Sequence, residues 1–580
     1  MNKELHWKPI SCDMAAAEQL RRLLRVPKIL AQILVARGLR DPQQARFFLD
    51  ARLSQLEDPF KLLHIREVAE RLHFALKRRE DVAVFGDYDV DGISSTALMV
   101  HTLRHFEGKV RYYIPRRFED GYGLSQSVVE RAYADGVPKV VLALDCGTNS
   151  VAQVQWMRDR GTTVIIVDHH RATCELHADL ILVNPNVHGG DDQENYGIFC
   201  TAGLVFKCIH GLLKVLRRQN DRRALDFNLK GQLDLVAMAT VADVVPLLGE
   251  NRIFVKYGLK ELQSPWRPGT KAIISQAALD GDHAIVASDL SFKVCPRINA
   301  SGRIANATPP VEMFLTEDPE KAKVIASELA EMNLERQRIE SEITEEASRM
   351  VETEFSGCNS IVLFNDHWHT GVIGIVAGKL MQRYRKPCVV LSREENNMAK
   401  GSGRCVSGLS LVDLFSKCSH LLGTWGGHPL AAGIGMPIDN ISHFREAFEV
   451  SVTEALRIID VANDLEIVDW ITAGEINESL MRQLRQLEPF GQGNPQPVFG
   501  VHCPVFLGEP HIFGNNHQHF NFVLAGNGRS LHGVAWQKVH LLPLQSSCDI
   551  AVRLHTTYWN GNRGIQVELV DLRPSASTEP

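Results

Sequence analysis

Apolar runs and amphipathic stretches alternate along the chain from about residue 61. Runs rich in β-branched residues, such as DVAVFGD (81–87), KVVLALD (139–145) and TTVIIVD (162–168), predict strands, and segments such as SSTALMVHTLRHF (94–106) predict helices. Apolar strands that alternate with helices are typical of a parallel sheet covered on both faces. We therefore expect an α/β domain in this part of the chain.

The pattern changes twice further along. Residues 318 to about 353 show a long charged helical pattern with Asp318 as N-cap and Pro319 in the first turn. Such a polar helix bridges two domains or forms a coiled-coil hairpin. A second α/β region follows, with the strands SIVLFND and KPCVVLS and glycine-rich turns. After about residue 465, short strand-like runs joined by Gly and Asn turns predict a small all-β barrel.

Composition narrows the class of protein. At 580 residues the chain is too long for one core, and its 44% hydrophobic and 23% charged residues are those of an ordinary globular protein. No apolar run approaches the roughly 20 residues that span a bilayer, and the start lacks the apolar stretch of a signal peptide. We therefore expect a cytoplasmic protein with no membrane partner. The 12 cysteines are scattered without a CxxC pair, which argues against zinc.

The formal net charge of −6 counts mildly against a nucleic-acid binder, which is usually basic. Clustered carboxylates that hold divalent cations would offset part of this charge. One such cluster is visible in FGDYDVDG (85–92), where Asp87, Asp89 and Asp91 alternate along the chain. A calcium loop of the EF-hand type begins in this way, but its twelfth position would be Leu98 instead of a bidentate glutamate. A solvated turn is the alternative, although a turn does not need so much negative charge.

Three other apolar segments also end in carboxylates. Asp145 ends KVVLALD, Asp168 ends TTVIIVD and precedes His169 and His170, and Asp243 ends LDLVAMATVAD. In an open parallel sheet the carboxyl ends of neighbouring strands lie side by side and bind ligands. We therefore expect four segments to deliver Asp and His side chains to one metal site.

Oxygen ligands with one or two imidazoles and no thiolate suit Mg²⁺ or Mn²⁺, and the imidazole favours Mn²⁺. The carboxylates suffice for two ions about 3.5–4 Å apart, an arrangement that hydrolyses phosphate esters. The sequence thus predicts a two-ion phosphoesterase site.

The motifs VFGDYDVDGISS, LDCG, VDHH and VADVVPLLGENR resemble, in order and spacing, the four motifs of the DHH phosphoesterases. Later motifs resemble one family within that superfamily, the bacterial RecJ exonucleases: PRINASGRI, HTGVIGIVAGKL, KGSGR, GGHPLAAG and EPFGQGNPQPVF. The resemblance covers nearly the whole chain. It departs from the family's pattern at Thr370, Ser301 and Cys405, none of which is a presumed metal ligand.

The resemblance implies an α/β fold class, with two α/β domains (DHH and DHHA1-like) joined by a long helix and followed by a C-terminal all-β OB-fold barrel. The expected boundaries are 1–60 for an N-terminal helical segment, 61–316 for the DHH catalytic domain, 317–354 for the connecting helix, 355–462 for the DHHA1-like substrate-binding domain, 463–573 for the OB-fold domain and 574–580 for a disordered tail.

The resemblance also implies roles for single residues. It implies two sets of metal ligands that share Asp145 as the bridge between the ions. The sets are Asp87, Asp89 and Asp145 for one ion, and Asp91, Asp145, His169 and Asp243 for the other. Asp168 would orient a histidine. His170 would stabilise the charge that develops on the scissile phosphate, and Arg303 would face the active site across a cleft.

Substrate contacts are expected in the two C-terminal domains. GSGR would offer backbone N–H groups with Ser402 and Arg404, and GGH would offer His428, unless both motifs are ordinary tight turns. In the barrel, bases would stack on aromatic side chains beside Arg553 and Arg563, unless these aromatics form the core. The aromatics are Phe520, Phe522, Trp536, Tyr558 and Trp559.

The implied function is a single-stranded-DNA-specific exonuclease that works 5′→3′ in DNA recombination and repair. It would release mononucleotides by a two-metal mechanism with hydroxide as the nucleophile. The expected partners are single-stranded DNA, a helicase and the single-strand binding protein, and the expected state is a monomer. One alternative is a DHH enzyme for short oligonucleotides or cyclic dinucleotides, which the length and the terminal barrel disfavour. The other is a non-catalytic binding subunit, which the complete ligand set disfavours.

Overall fold

The computed structural model describes residues 5–116, 120, 123–177, 179–187, 196–281, 283–458, 464–514, 517–544, 547–559 and 562–575. Most of the expected disordered tail, 574–580, therefore lies outside the described residues. The chain divides into two compact units. The first comprises Met1–His6, Arg303–Ala305 and Leu329–Asp464, and the second comprises Trp7–Gly302, Asn306–Glu328 and Leu465–Pro580.

In its described residues, the N-terminal segment contains one short strand and three α-helices. They are β1 (His6–Pro9), α1 (Met14–Leu24), α2 (Lys28–Ala36) and α3 (Pro42–Asp50). Asp13 and Asp41 cap α1 and α3, because each side chain accepts hydrogen bonds from two backbone N–H groups of the first turn. The strand was not among the predicted elements, since HWKP shows no apolar alternation.

A five-stranded parallel sheet follows, as the apolar pattern predicted. Its strands are β2 (Asp81–Phe85), β3 (Lys109–Tyr113), β4 (Val140–Leu144), β5 (Thr163–Val167) and β6 (Ile181–Val183). They lie in the order β3-β2-β4-β5-β6 and all run parallel. Because β2, β4 and β5 are neighbours, the residues that follow them meet at one edge of the sheet.

Helices surround this sheet and continue beyond it. They are α4 (Ile65–Arg78), α5 (Val90–His105), α6 (Gln126–Ala134), α7 (Val151–Arg158), α8 (Thr201–Arg218), α9 (Arg223–Asp226), α10 (Leu233–Ala242), α11 (Gly249–Gln263), α12 (Pro268–Gln276), α13 (Ala287–Asp289), α14 (Cys295–Ile304) and α15 (Thr308–Leu315). A π-helix, Leu290–Val294, joins α13 to α14. Helices α5, α8 and α10 pack against one another and are buried along most of their length.

The long charged pattern forms one continuous helix, α16 (Pro319–Glu354). Oδ1 of Asp318 accepts a hydrogen bond from the backbone N of Glu320 at 2.9 Å, so this aspartate caps the helix as predicted. The alternative of a coiled-coil hairpin is wrong, because the helix runs for 36 residues without a turn. Neither this helix nor any other in the described part of the chain has the length and the apolar character to cross a membrane.

The second α/β region contains a mixed five-stranded sheet. Its elements are β7 (Ile361–Asn365), α17 (Ile373–Tyr384), β8 (Cys388–Glu394), β9 (Met398–Arg404), α18 (Leu411–Lys417), β10 (Thr424–His428), β11 (Ala431–Pro437) and α19 (Ile441–Ile458). The order is β10-β11-β9-β8-β7, and only β7 and β8 run parallel to each other.

The glycine-rich motifs of this region form strands, so their prediction as turns is wrong. GSGR ends β9, and GGH ends β10. A Cβ at Gly401 would lie 2.5 Å from Cδ2 of Leu391, so glycine leaves room for the neighbouring strand's side chain. Strand β9 pairs with β8 on one side and β11 on the other. Its backbone N–H groups are therefore used within the sheet, and only side chains of GSGR remain for phosphate contacts.

The C-terminal region is a six-stranded sheet in the order β13-β17-β18-β16-β15-β14. Its elements are β12 (Asp464–Ile467), which pairs with β1, and then α20 (Glu478–Arg485), β13 (Phe499–Val501), β14 (His511–Phe513), β15 (His519–Ala525), β16 (Ser530–Ala535), β17 (Cys548–Trp559) and β18 (Asn562–Pro574).

The aromatic side chains of this sheet do not all face solvent. Phe520 and Phe522 are 0% and 4% exposed and belong to the core, so they are not free to stack on bases. Trp536 is 50% exposed. The side chains of Tyr558 and Trp559 lie outside the described residues.

Candidate metal centre

The acidic triplet occupies the turn between β2 and α5. Asp89 is the N-cap of α5, and its Oδ1 accepts hydrogen bonds from the backbone N of Asp91 at 3.0 Å and of Gly92 at 3.1 Å. Asp87 and Asp91 are only 1% and 2% exposed. A solvated turn is therefore wrong for these two carboxylates, although Asp89 does act as a helix cap.

Gly92 allows this turn to close tightly on Asp87. A Cβ at Gly92 would lie 2.5 Å from the backbone N of Asp87 and 2.6 Å from its Cα. The backbone N of Val90 donates to Oδ1 of Asn299 at 3.1 Å. The PRINASGRI motif therefore helps to hold the acidic turn in place.

Asp145 follows β4 at the same edge and is 2% exposed. Its φ of 63° lies in the left-handed region, which non-glycine residues rarely adopt and which is concentrated at functional sites. Oγ1 of Thr201 donates to its Oδ1 at 2.9 Å. Asp145 is thus held in a strained position by the first residue of α8.

Asp243 reaches the centre from the end of a helix, since the run LDLVAMATVAD forms α10 and Asp243 is its C-cap. Its Oδ2 lies 3.6 Å from Nδ1 of His169. Nε2 of the same imidazole lies 3.6 Å from Oδ1 of Asp145. His169 therefore stands between the two carboxylates.

Three groups of side chains offer atoms that lie within 4.8 Å of one another: Asp87, Asp89 and Asp145; Asp91, His169 and Asp243; and Asp145, His169 and His170. The first two groups contain every residue that was expected to be a ligand. The third group links them through Asp145 and His169. The structure thus brings the six expected ligands together, from four separate segments of the chain.

The electrostatics of the cluster are unfavourable without a cation. Burial, together with the charge of Asp89, raises the pKa of Asp91 to about 7. Burial and the charge of Asp91 raise the pKa of Asp243 to about 9. Burial and the surrounding carboxylates raise the pKa of Asp145 well above its usual range. Divalent cations would stabilise the charged forms, so this set of oxygens and imidazole fits Mg²⁺ or Mn²⁺.

Asp168 contacts the two histidines that follow it and is not part of any of the three groups of ligand atoms. Its Oδ1 lies 2.7 Å from Nδ1 of His170 and accepts hydrogen bonds from the backbone N of His169 at 2.8 Å and of His170 at 3.2 Å. Burial opposes the charge of His170, but the ion pair with Asp168 prevails and raises its pKa to about 9. Burial likewise opposes the charge of Asp168, and His170 nevertheless holds the pKa of this carboxyl below its usual range. The ion pair with Asp168 therefore favours the protonated form of His170.

Several polar groups that the sequence reasoning missed support the cluster. The backbone N–H groups of Thr201 and Ala202, at the start of α8, donate to the carboxylate of Asp91 at 2.7 and 2.8 Å. Asn184 and Asn186 donate to the backbone carbonyls of His170 and His169 at 2.8 and 2.6 Å.

A sequence signal existed for some of these groups. The two asparagines follow β6 at the same edge of the sheet, so the strand-end rule could have found them. Thr201 opens an apolar helix and gives no such signal.

The remaining expected residues lie in the other compact unit: Arg303, Ser402, Arg404 and His428. Nη1 of Arg303 donates to the carbonyl oxygen of Gly371 at 3.2 Å. Nη1 of Arg404 donates to Oγ of Ser402 at 3.1 Å. A Cβ at Gly374, in the first turn of α17, would lie 2.9 Å from Oγ of Ser402. Ser402 and Arg404 therefore lie beside the N-terminus of α17.

Three family models match the chain. The DHH family N-terminal domain matches residues 81–240, the DHHA1 domain matches 357–454, and the RecJ OB domain matches 469–571. Together they define the class as a DHH-family protein with DHHA1 and OB domains. They confirm the expected fold class of two α/β domains followed by an OB domain.

Relatives narrow this class. Over 569 residues the chain is 33% identical to the single-stranded-DNA-specific exonuclease RecJ of Dickeya dadantii, covering 95% of this chain and 96% of that protein. It is 31% identical to the enzyme of the same name from Bacillus subtilis, covering 98% and 71%. The crystal structure of RecJ with Mn²⁺ from Thermus thermophilus aligns with a TM-score of 0.82 at 27% identity, covering 100% and 81%. The chain belongs to the RecJ family, which confirms the resemblance drawn from its motifs.

Proposed function

We propose that this protein is a metal-dependent phosphodiesterase that degrades single-stranded DNA from the 5′ end to mononucleotides. The observation that carries the proposal is the convergence of buried aspartates and His169 on one edge of the sheet. The names of the relatives support single-stranded DNA as the substrate. The 5′→3′ direction rests on the resemblance of the motifs to those of RecJ exonucleases.

We assign two ions, Mn²⁺ or Mg²⁺, to this centre. Crystal structures of the Thermus thermophilus relative contain Mn²⁺ and Mg²⁺. The expected ligands are Asp87, Asp89 and Asp145 for one ion, and Asp91, Asp145, His169 and Asp243 for the other. When bound, the ions supply the Lewis acidity that activates water and neutralises charge on phosphoryl oxygens.

The protein's own residues prepare the centre for this chemistry. The N-terminus of α8 donates to Asp91 and Asp145 and so favours their ionised forms. Asp168 keeps the imidazole of His170 protonated and fixes its orientation. His170 can then donate a charge-assisted hydrogen bond to the scissile phosphate as negative charge develops there.

Replacing Asp168 with asparagine is expected to lower kcat by about 10–100-fold, the usual effect of removing a partner that orients a site residue. The amide oxygen can still accept the backbone N–H groups of His169 and His170, so the fold should survive. The lost charge no longer holds His170 protonated. Steady-state kinetics at saturating Mn²⁺ measure the effect. Asp159→Asn, at the exposed end of α7, is the matched control, and an unchanged kcat for Asp168→Asn would remove Asp168 and His170 from the mechanism.

We assign phosphate contacts to Ser402, Arg404 and His428, and an active-site role to Arg303. Burial lowers the pKa of Arg404, and a phosphate would relieve the cost of keeping its guanidinium charged away from water. The N-terminus of α17 adds a partial positive charge beside Ser402 and Arg404. This combination suits the phosphate backbone of a DNA strand.

The direct test is digestion of single strands that carry a label at one end and a block at the other. With Mn²⁺, the protein should degrade a 3′-blocked strand to mononucleotides, leave a 5′-blocked strand intact, and leave a blunt duplex intact. Cleavage of dinucleotides alone would favour the enzyme of short substrates. Binding without hydrolysis in either metal would favour a non-catalytic subunit.

We further propose that the chain acts as a monomer on strands supplied by a helicase and the single-strand binding protein. An enzyme restricted to single strands needs another activity to separate a duplex. The addition of a helicase should therefore convert an intact duplex into a substrate.

A further inference from the structure

An open cavity of about 290 Å³ has in its lining Val244, the residue directly after Asp243 of the candidate metal centre. Its walls come from the end of α10 and the loop after it, from the π-helix Leu290–Val294, from residues 490–496 and from β17. All of these segments belong to the same compact unit. None of the six expected metal ligands is among the residues that line this cavity.

Two large apolar side chains line the cavity and are unusually exposed. Phe292 is 80% exposed and Val244 is 64% exposed. Phe292 lies in a π-helix. Such helices are rare in proteins overall, but those that occur are often found at functional sites. Val244 has a φ of 57°, a left-handed conformation that is an outlier for a β-branched residue. Both exposed side chains thus lie on backbone of unusual geometry.

The segments that carry these two side chains are connected along the chain to residues of the metal centre. Val244 directly follows Asp243, the C-cap of α10. The π-helix runs directly into α14, whose Asn299 accepts a hydrogen bond from Val90 in the acidic turn. The α10 end and the π-helix–α14 segment therefore each contribute both to the lining of the cavity and to the centre or its support.

Other residues of the lining supply positive charge and polar groups. Arg553 lines the cavity, and its Nη1 lies 3.7 Å from Oε1 of Glu568. The other oxygen of Glu568 lies 2.6 Å from Nε2 of His555, so Arg553 shares this carboxylate and is not its sole partner. Gln492 and Gln496 add amide groups to the lining. An exposed aromatic ring and an arginine in the lining of one cavity are the combination with which proteins bind the bases and phosphates of single strands.

We propose that this cavity binds one unstacked nucleotide of the DNA strand, with its base stacked on Phe292 and its phosphate beside Arg553. The inference rests on the proposed function and names residues that position the strand next to the reacting phosphate. The occupant is a nucleotide, because the cavity is lined by the residue that follows the expected metal ligand Asp243 and combines an aromatic ring with a cation.

The test is the affinity for a single strand made resistant to cleavage by phosphorothioate linkages, measured by fluorescence anisotropy. Phe292→Ala should weaken binding about 10-fold or more, from the usual contribution of one base–aromatic stack. Phe292→Trp should bind as tightly as the natural protein, whereas Phe292→Leu should not. Arg553→Gln should weaken binding and make it less dependent on salt. Phe74→Ala, which removes a 42% exposed phenylalanine of α4, is the matched control.

The outcomes separate this inference from the proposed function. If the natural protein neither binds nor digests single strands, the proposed function fails. If it digests them and Phe292→Ala keeps the natural affinity and KM, the nucleotide site is refuted. If Phe292→Leu binds as well as Phe292→Trp, the ring does not stack on a base and the cavity has been assigned the wrong contact.

Discussion

Asp145→Asn should lower nuclease activity by at least about 1,000-fold, because it removes the carboxylate that both proposed ligand sets share and on which several kcal/mol of transition-state stabilisation depend. The fold should survive, since the amide oxygen can still accept the hydrogen bond that Oγ1 of Thr201 donates at 2.9 Å. The measurement is kcat on a 5′-labelled single strand over a titration of Mn²⁺. Asp159→Asn, which makes the same chemical change on the surface of α7, should keep full activity.

Asp145→Asn should lower activity, but in the absence of metal it should not lower the stability of the fold. Burial and neighbouring carboxylates raise the pKa of Asp145, so its charged form is costly in the metal-free protein. With a chelator present, Asp145→Asn should therefore unfold at the same temperature as the natural protein or higher. Added Mn²⁺ should stabilise the natural protein by about 3 kcal/mol at 100 times its dissociation constant, and the variant much less. Retained activity, or an unchanged response of Tm to Mn²⁺, would contradict the two-ion centre.

The sequence predicts this centre well where simple periodicity applies. Asp87, Asp145 and Asp168 each follow an apolar β-branched run, and those runs form the adjacent parallel strands β2, β4 and β5. Parallel strands place the residues that follow them at one edge of the sheet. The three aspartates could therefore be expected to lie close together without knowledge of how the strands pair residue by residue.

Prediction fails where tertiary contacts override local pattern. The glycines of GSGR favour turns by propensity, yet the packing of neighbouring side chains places them in a central strand. The exposed Phe292 resembles any other apolar residue in the sequence, and only its 80% exposure in the structure shows that it faces solvent. Thr201 donates to two aspartates that lie far from it in the chain. A contact of this kind leaves no periodic trace in a single sequence.

Arg252 illustrates the same limit and makes a strong contribution to the fold. It lies in the VADVVPLLGENR motif but is only 1% exposed and is no expected ligand. Its Nε donates to the carbonyl oxygen of Phe48 at 2.7 Å, near the end of α3. Its Nη1 and Nη2 donate to the carbonyl oxygens of Leu487 and Gln486 at 2.8 and 3.1 Å, directly after α20. One guanidinium therefore donates to carbonyls at the C-terminal ends of two helices, although Leu487 also accepts from Nδ2 of Asn494 at 2.8 Å.

Arg252→Met should reduce the free energy of unfolding by about 3–5 kcal/mol, because it removes the guanidinium donor of the Phe48 and Gln486 carbonyls and one of the two donors of the Leu487 carbonyl. Burial lowers the pKa of Arg252 to about 9, so the side chain is still charged at neutral pH and its loss also removes a favourable interaction with both helix dipoles. Thermal unfolding should show a decrease in Tm on the order of 10 °C. The Tm of Arg252→Lys should lie between those of the natural protein and Arg252→Met, since an ammonium group cannot match the planar geometry of the guanidinium.

The control for this prediction is Arg22→Met, because Arg22 is 75% exposed and pairs only with Glu18 on the surface of α1 among the ion pairs of the described residues. It should change the free energy of unfolding by less than about 0.5 kcal/mol. If Arg252→Met were as stable as Arg22→Met, the carbonyls at the ends of α3 and α20 would have to find other donors, and the buried guanidinium would not join these helices to the rest of the domain. The affinity for Mn²⁺ should be nearly the same in all three Arg variants, because none of these arginines contacts a carboxylate of the centre in the described structure.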